Sequence, residues 1–189
     1  MKNLNDTMTI EKTAIQDLIL IAPTVFNDER GYFFEAFNQE KFHQKGIHYT
    51  FIQDNQSFSQ KGTLRGLHYQ NPPFAQTKLV RVLQGEIIDI AVDLRKDSLT
   101  FGKHFSVLLS AENKKQLLVP QGFAHGFSVL SETASVLYKV DQLYHKESER
   151  GIRFDDPTLA IDWQLRPEEV IVSEKDLVLP SFEDIDWEF

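Results

Sequence analysis

The chain has 189 residues, 41% of them hydrophobic, and a formal net charge of −8. That size suits one compact domain with a sizeable core, and the acidic balance argues against a general nucleic-acid binder. No apolar run approaches the ~20 residues that a membrane-spanning helix needs, and the lack of cysteine rules out disulfides, thiolate metal sites and a cysteine nucleophile.

Residues 1–14 carry weak periodicity and read as a flexible lead or a pairing arm; the polar stretch Met1 to Thr9 has no signal-peptide core, so a cytoplasmic location is expected. Ile15, Leu18, Ile19, Leu20 and Ile21 form a short apolar run ending at Pro23, read as a strand. A turn over Asn27 to Gly31 leads to a second strand, Tyr32 to Phe37, and Asn38 then caps a short helix over about Gln39 to Gln44 that stops at Gly46. Phe51 to Phe58 is an unusual strand, aromatic at its ends and polar from Gln53 to Ser57. Beyond Lys61-Gly62, the stretch around Arg65 to Gln70 breaks at Asn71-Pro72-Pro73 and resumes from Thr77 to Leu83. Ile88, Ile90, Val92 and Leu94 alternate with Asp89, Ala91 and Asp93 in a period-two pattern. Phe101 to Ser110 and Gln116 to Val119 look joined by a hairpin-like connection, Ala111 to Lys115. Pro120-Gln121-Gly122 turns the chain into Phe123 to Leu130, and Ser135 to Val140 follows with Val136, Tyr138 and Val140 on one face. Asp155-Asp156-Pro157 is a turn, and the tail, which holds Trp163 and Trp187, reads as a cap of short helices. Strands of about six residues between turn signals every ~8–12 residues predict an all-β sandwich or barrel.

The segment Arg65 to Arg81 places two arginines, a histidine and a lysine in an apolar, strand-like setting, where cations are rare without a partner or a job. His68 is the candidate base, because imidazole titrates near neutral pH. Asp89 and Asp176 are both candidates to orient it, although Ser173-Glu174-Lys175-Asp176 also reads as a helix capping box. Arg65 and Lys78 are candidate anion contacts, with rim salt bridges to some of the 28 acidic residues as the plain alternative. Gly66 permits close backbone approach, whereas Arg81 has no role beyond a possible ion pair. Tyr138 is either a packed ring or a general acid. Pro120-x-Gly122-x-x-His125 resembles the second half of the cupin metal motif, but where the first half needs a His-x-His pair the chain reads His68-Tyr69-Gln70. The expectation is a cupin barrel without its metal.

Several long motifs occur together: Arg65-Gly66-Leu67-His68-Tyr69-Gln70, Lys78-Leu79-Val80-Arg81-Val82, Val92-Asp93-Leu94-Arg95, Ser98 to Gly102, Pro120 to Phe127, and Tyr138-Lys139. In order and spacing they resemble the dTDP-4-dehydrorhamnose 3,5-epimerases, from about Asp28 to Asp176. The resemblance implies a mainly β, cupin-type double-stranded β-helix (jelly roll) with a few short helices, acting as a homodimer that exchanges strands and uses no metal and no cofactor. It implies one domain over residues 1–189, with N-terminal strands in 15–37, a jelly-roll core over about 50–145 and a short-helix tail in 165–189.

Residue by residue, the resemblance makes His68 the base with Asp176 as its partner, Tyr138 the acid on the opposite sugar face and Lys78 the neighbour of the 4-keto oxygen. Arg65 would hold the diphosphate, while Gln53, Asn55, His125 and Tyr144 would line the pocket. Arg30, Glu35, Glu149 and Lys175 match positions that bind nucleotide or sugar, with Arg30 and Glu35 expected to serve the partner subunit's site. The substrate implied is a dTDP-4-keto-6-deoxy sugar. The chemistry fits these residue types: a 4-keto sugar has acidic hydrogens at carbons 3 and 5, the ketone is the electron sink, and the protein needs a base, an acid across the ring and a positive charge at the oxyanion. Competing readings are an enzyme inverting one carbon or isomerising the ketone, a metal-dependent cupin, and a sugar-binding β-domain without catalysis.

Overall fold

The computed structural model describes residues 8–186, 188 and 189; residues 1–7 of the expected lead, and Trp187, lie outside the described residues. The architecture is two facing antiparallel sheets. One holds six strands in the order β1 (Met8–Lys12), β2 (Ile19–Pro23), β10 (Gln116–Val119), β7 (Lys78–Gln84), β12 (Thr133–Val140), β5 (Gln53–Gln60). The other holds five: β13 (Glu149–Gly151), β6 (Leu64–Gln70), β11 (Phe123–Val129), β8 (Glu86–Asp93), β9 (His104–Ser110). A small separate hairpin pairs β3 (Phe26–Asp28) with β4 (Gly31–Phe33). From β5 to β13 successive strands alternate between the sheets, as in a jelly roll, except that β8 and β9 are paired neighbours in one sheet.

The space between the sheets is filled by the inward side chains of both: Val80, Val82 and Val136 from one, Ile87, Ala91, Phe123 and Phe127 from the other. A second core lies on the outer face of the five-stranded sheet, where Leu64, Leu67, Ile88, Ile90 and Val92 pack against Trp163, Phe182 and Ile185 of the tail. A third covers the outer face of the six-stranded sheet with Phe42 and Ile47. Phe42 belongs to α1 (Gln39–Gln44), whose N-cap Asn38 accepts a bond from the Lys41 amide at 3.2 Å. Gly46, at φ +82°, follows the helix in a conformation that favours glycine.

Several expectations shift. The arm at the N-terminus is in part a regular strand, since β1 pairs with β2 from Met8↔Pro23 to Lys12↔Ile19. The run from Ile15 becomes a strand only at Ile19, because the Thr13 hydroxyl binds the Ile15 and Leu18 carbonyls, both at 2.9 Å, and ties Ile15 to Leu18 into a turn. The second strand spans only Gly31–Phe33, not Tyr32 to Phe37. Ala111 to Lys115 is no hairpin: it carries the chain from β9 in one sheet to β10 in the other. The period-two strand β8 has both faces covered, so its polar side points into the protein and Asp89 is fully buried.

Candidate active site

β6 lies between β13 and β11 in the five-stranded sheet, and its inward residues Arg65 and His68 face the space between the sheets. Gly66 makes this possible. At φ +120° it lies against β11, and a Cβ there would stand 2.5 Å from the Gly126 Cα. The backbone that approaches Gly66 is therefore a neighbouring strand. The β6–β11 register shifts at this point, between His125 and Phe127, and His125 is left directly opposite His68.

Two adjoining cavities occupy the space, of about 490 Å³ and 240 Å³, and both are lined by His68, Lys78 and Tyr138. The larger also meets Arg65, His125, Lys175 and Asp176. The smaller meets Gln53, Asn55, Tyr144 and Glu149. Eleven of the thirteen candidate residues are thus gathered here. Arg30 and Glu35 are not. Arg30 is exposed beside the β3–β4 hairpin and pairs with Asp28 at 2.6 Å, while Glu35 lines a cavity with Arg81 and Gln116 and pairs with Lys41 at 2.9 Å. Arg81, for which the sequence offers only a possible ion pair, stands 5.2 Å from the centre of the Phe34 ring, a cation–π contact.

His68 and Asp176 meet at 2.7 Å, Nε2 to Oδ1, across 108 residues of sequence. Both readings of Ser173 to Asp176 hold: the Ser173 hydroxyl caps the short helix α2 (Glu174–Leu177) by accepting from the Asp176 amide, and the Asp176 carboxylate is thereby free to reach His68. Burial pushes the Asp176 carboxyl up, but the bond and charge of His68, the Gly66 amide and Lys175 outweigh it and hold the group below its usual range. Asp89, the other candidate partner, binds His125 instead, Oδ1 to Nε2 at 2.8 Å. With each histidine held by a carboxylate, no group of three or more His, Asp or Glu among the described residues converges as metal ligands would.

The opposite wall comes from the six-stranded sheet. Lys78 on β7 and Tyr138 on β12 lie on adjacent strands, Tyr138 opposite Val80 and Lys78 opposite Val140. Burial lowers the Lys78 ammonium to about 8 against the raising charges of Asp89 and Glu149, and burial raises the Tyr138 phenol. At the rim Glu149 receives Lys175 at 2.6 Å and the Tyr144 hydroxyl at 2.8 Å; burial pushes its carboxyl up, and those two bonds pull it below the usual range. Arg65 is fixed by one bond, Nε to the Ser59 hydroxyl at 3.1 Å. Sequence reasoning missed Ser57 and Ser59, which continue inward from Gln53 and Asn55 along β5. The alternation of polar residues there was the available signal.

The family model described as dTDP-4-dehydrorhamnose 3,5-epimerase matches residues 12–184. The chain belongs to that family of enzymes. It is 50% identical over 181 residues to the family's Shigella flexneri enzyme, covering 95% of this chain and 99% of that one. The Elizabethkingia anophelis enzyme superposes with a TM-score of 0.91 at 52% identity, covering 94% and 98% of the two chains. A Legionella pneumophila dTDP-6-deoxy-D-glucose-3,5-epimerase, solved with dTDP-4-keto-L-rhamnose, also gives 0.91, at 50% identity and 95% of each chain. These family members share the jelly roll described above.

Proposed function

We propose that this chain inverts carbons 3 and 5 of dTDP-4-dehydro-6-deoxy-D-glucose, giving dTDP-4-dehydro-L-rhamnose. The observation that carries the assignment is the opposition across one cavity of a carboxylate-bound histidine on one sheet and a lysine beside a tyrosine on the other. His68, oriented by Asp176, removes the proton next to the ketone, and the Asp176 charge steadies the imidazolium that forms. The enolate oxygen develops its charge beside Lys78, whose partly desolvated ammonium interacts more strongly than it would in water. Tyr138 returns a proton from the far side of the ring, so the carbon is inverted. Its phenol, raised by burial, keeps its proton at neutral pH and is a donor there. The ketone takes the electron pair, so this sequence of steps calls on no cofactor.

The diphosphate lies against Arg65, whose remaining guanidinium nitrogens make no hydrogen bond among the described residues, and near His125 and Lys175. Gln53, Asn55, Tyr144 and Glu149 line the sugar and nucleotide end. Arg30 and Glu35 serve the site of a second copy in a homodimer, which fits their place away from both cavities. The exposed rings of Phe26, Tyr32 and Phe33 on the same hairpin then become contact surface. Work on a soluble nucleotide sugar fits the cytoplasm. A deciding experiment is incubation with the keto-sugar nucleotide in deuterated water, read by NMR. Deuterium at both carbons with two inverted centres is expected; deuterium at one carbon alone makes the enzyme a single-carbon epimerase, and none at either overturns the reading.

A further inference from the structure

Asp89 is the one carboxylate in the site without an assignment. It is fully buried on β8, between the sheets. Its Oδ1 binds His125 Nε2 at 2.8 Å, and its Oδ2 is buried with no hydrogen-bond partner among the described residues. Leaving a buried carboxylate oxygen unmatched is costly, and such groups persist where they serve a charge nearby. A positive charge is near. Lys78 lies in the same cavity as His125 and feels Asp89 as the first of its two opposing charges, Glu149 being the second.

We propose that Asp89 is a positioning residue for the reaction: it fixes His125 with Nδ1 turned to the substrate, and it supplies the buried negative charge that keeps Lys78 an ammonium at the enolate. The proposal rests on the role given above to Lys78. A carboxylate bound to one ring nitrogen of a neutral imidazole makes that nitrogen the proton carrier and leaves the other an acceptor or, once protonated, a donor. The titratable groups that share the cavities with Lys78 are His125 on β11, His68 and Arg65 on β6, Tyr138 on β12, Lys175 and Asp176 on α2, and Glu149 on β13 with Tyr144 before it, and the charge of Asp89 reaches it from β8. Arg65 and a protonated histidine oppose its charge, and Asp89 and Glu149 favour it. Asp176 is engaged with His68, and Glu149 is shared with Lys175 and Tyr144. Among the described residues, only Asp89 has a buried carboxylate oxygen without a hydrogen-bond partner.

The test is the pH profile of the Asp89→Asn full-length enzyme, with the same keto-sugar nucleotide and deuterium exchange at both carbons. Expected is a fall of about tenfold or more in kcat, with the alkaline limb of the profile moved to lower pH by about one unit, the shift that loss of a nearby opposite charge produces. A purely structural role would lower the amount of folded enzyme without moving the limb. An Asp89→Asn enzyme that folds, with kcat and alkaline limb unchanged, overturns the proposal. Where that variant does not fold, nitrogen NMR of the wild-type imidazoles decides. Neutral His125 carrying its proton on Nε2 supports the proposal, and the Nδ1-protonated form overturns it. Failure here is distinct from failure of the site assignment: wild type that exchanges neither carbon sinks the epimerase reading, whereas wild type that exchanges while Asp89→Asn matches it sinks only the role of Asp89.

Discussion

The two histidine–aspartate pairs of this site have nearly the same bond length, 2.7 and 2.8 Å, and opposite settings. In the His68–Asp176 pair the histidine side chain is 29% exposed and its partner 6%; in the His125–Asp89 pair the values are 8% and 0%. The first pair opens onto both cavities, and its carboxylate comes from the tail, tied down by the Ser173 cap and by the Lys175–Glu149 ion pair. The second is built from neighbouring strands, β11 and β8, with its carboxylate closed off between the sheets. A group that takes and returns protons needs access to the substrate and a partner that stabilises its cationic form. A group that only holds direction and charge is served by burial, which strengthens fields and fixes rotamers. On the roles proposed above, the same residue pair does different work according to depth.

The largest effect should come from emptying the accessible pair. His68→Ala should lower deuterium exchange at carbons 3 and 5 by about 10⁴-fold, the upper end for a general base; normal exchange would hand the base role to His125 and invert the comparison. Tyr138→Phe should keep exchange at carbon 5 while losing about 10²-fold in inverted product, measured by NMR of the sugar, and normal turnover would reduce Tyr138 to packing. Asp176→Asn should cost roughly 10²-fold in exchange with little change in the KM for the nucleotide sugar; a loss in KM alone would make Asp176 a mere anchor for the tail. The smallest effect is thermodynamic. Lys78 has its pKa lowered from 10.5 to about 8 on folding. Between those values the unfolded chain binds the extra proton, so the group's destabilising contribution is full below about pH 8 and is relieved as pH rises to 10.5. Lys78→Met should then raise the melting midpoint at pH 7 by about 2–4 °C, roughly 1 kcal/mol, while abolishing most activity. The gain should shrink at alkaline pH, and a gain that grows there would contradict the burial of the ammonium.

Local pattern was enough for much of this molecule. Turn residues and period-two runs marked most of the strands, and Asn38 and Gly46 bounded α1 because a cap acts over a few residues. What failed were readings that need to know what covers a face. The alternation in β8 correctly marked a strand, yet the apolar side Ile88, Ile90 and Val92 went under the tail and Asp89 went between the sheets. No short-range signal distinguishes one covered face from two. The five residues 111–115 resemble a hairpin loop, and only sheet membership shows them crossing between layers.

The same division runs through the site. The sequence by itself determined an all-β fold through strand periodicity and, through its long motifs, the family with its jelly roll and most of the side chains that gather at the two cavities, because both signals are written locally in the chain. Tertiary structure alone decided which carboxylate meets which histidine: Asp176 reaches His68 over 108 residues and Asp89 turns to His125. It also decided that Lys78 and Tyr138 face His68 from the opposing sheet. Hydrogen bonds and desolvation act over a few ångströms in space, and separation along the chain carries no measure of that distance.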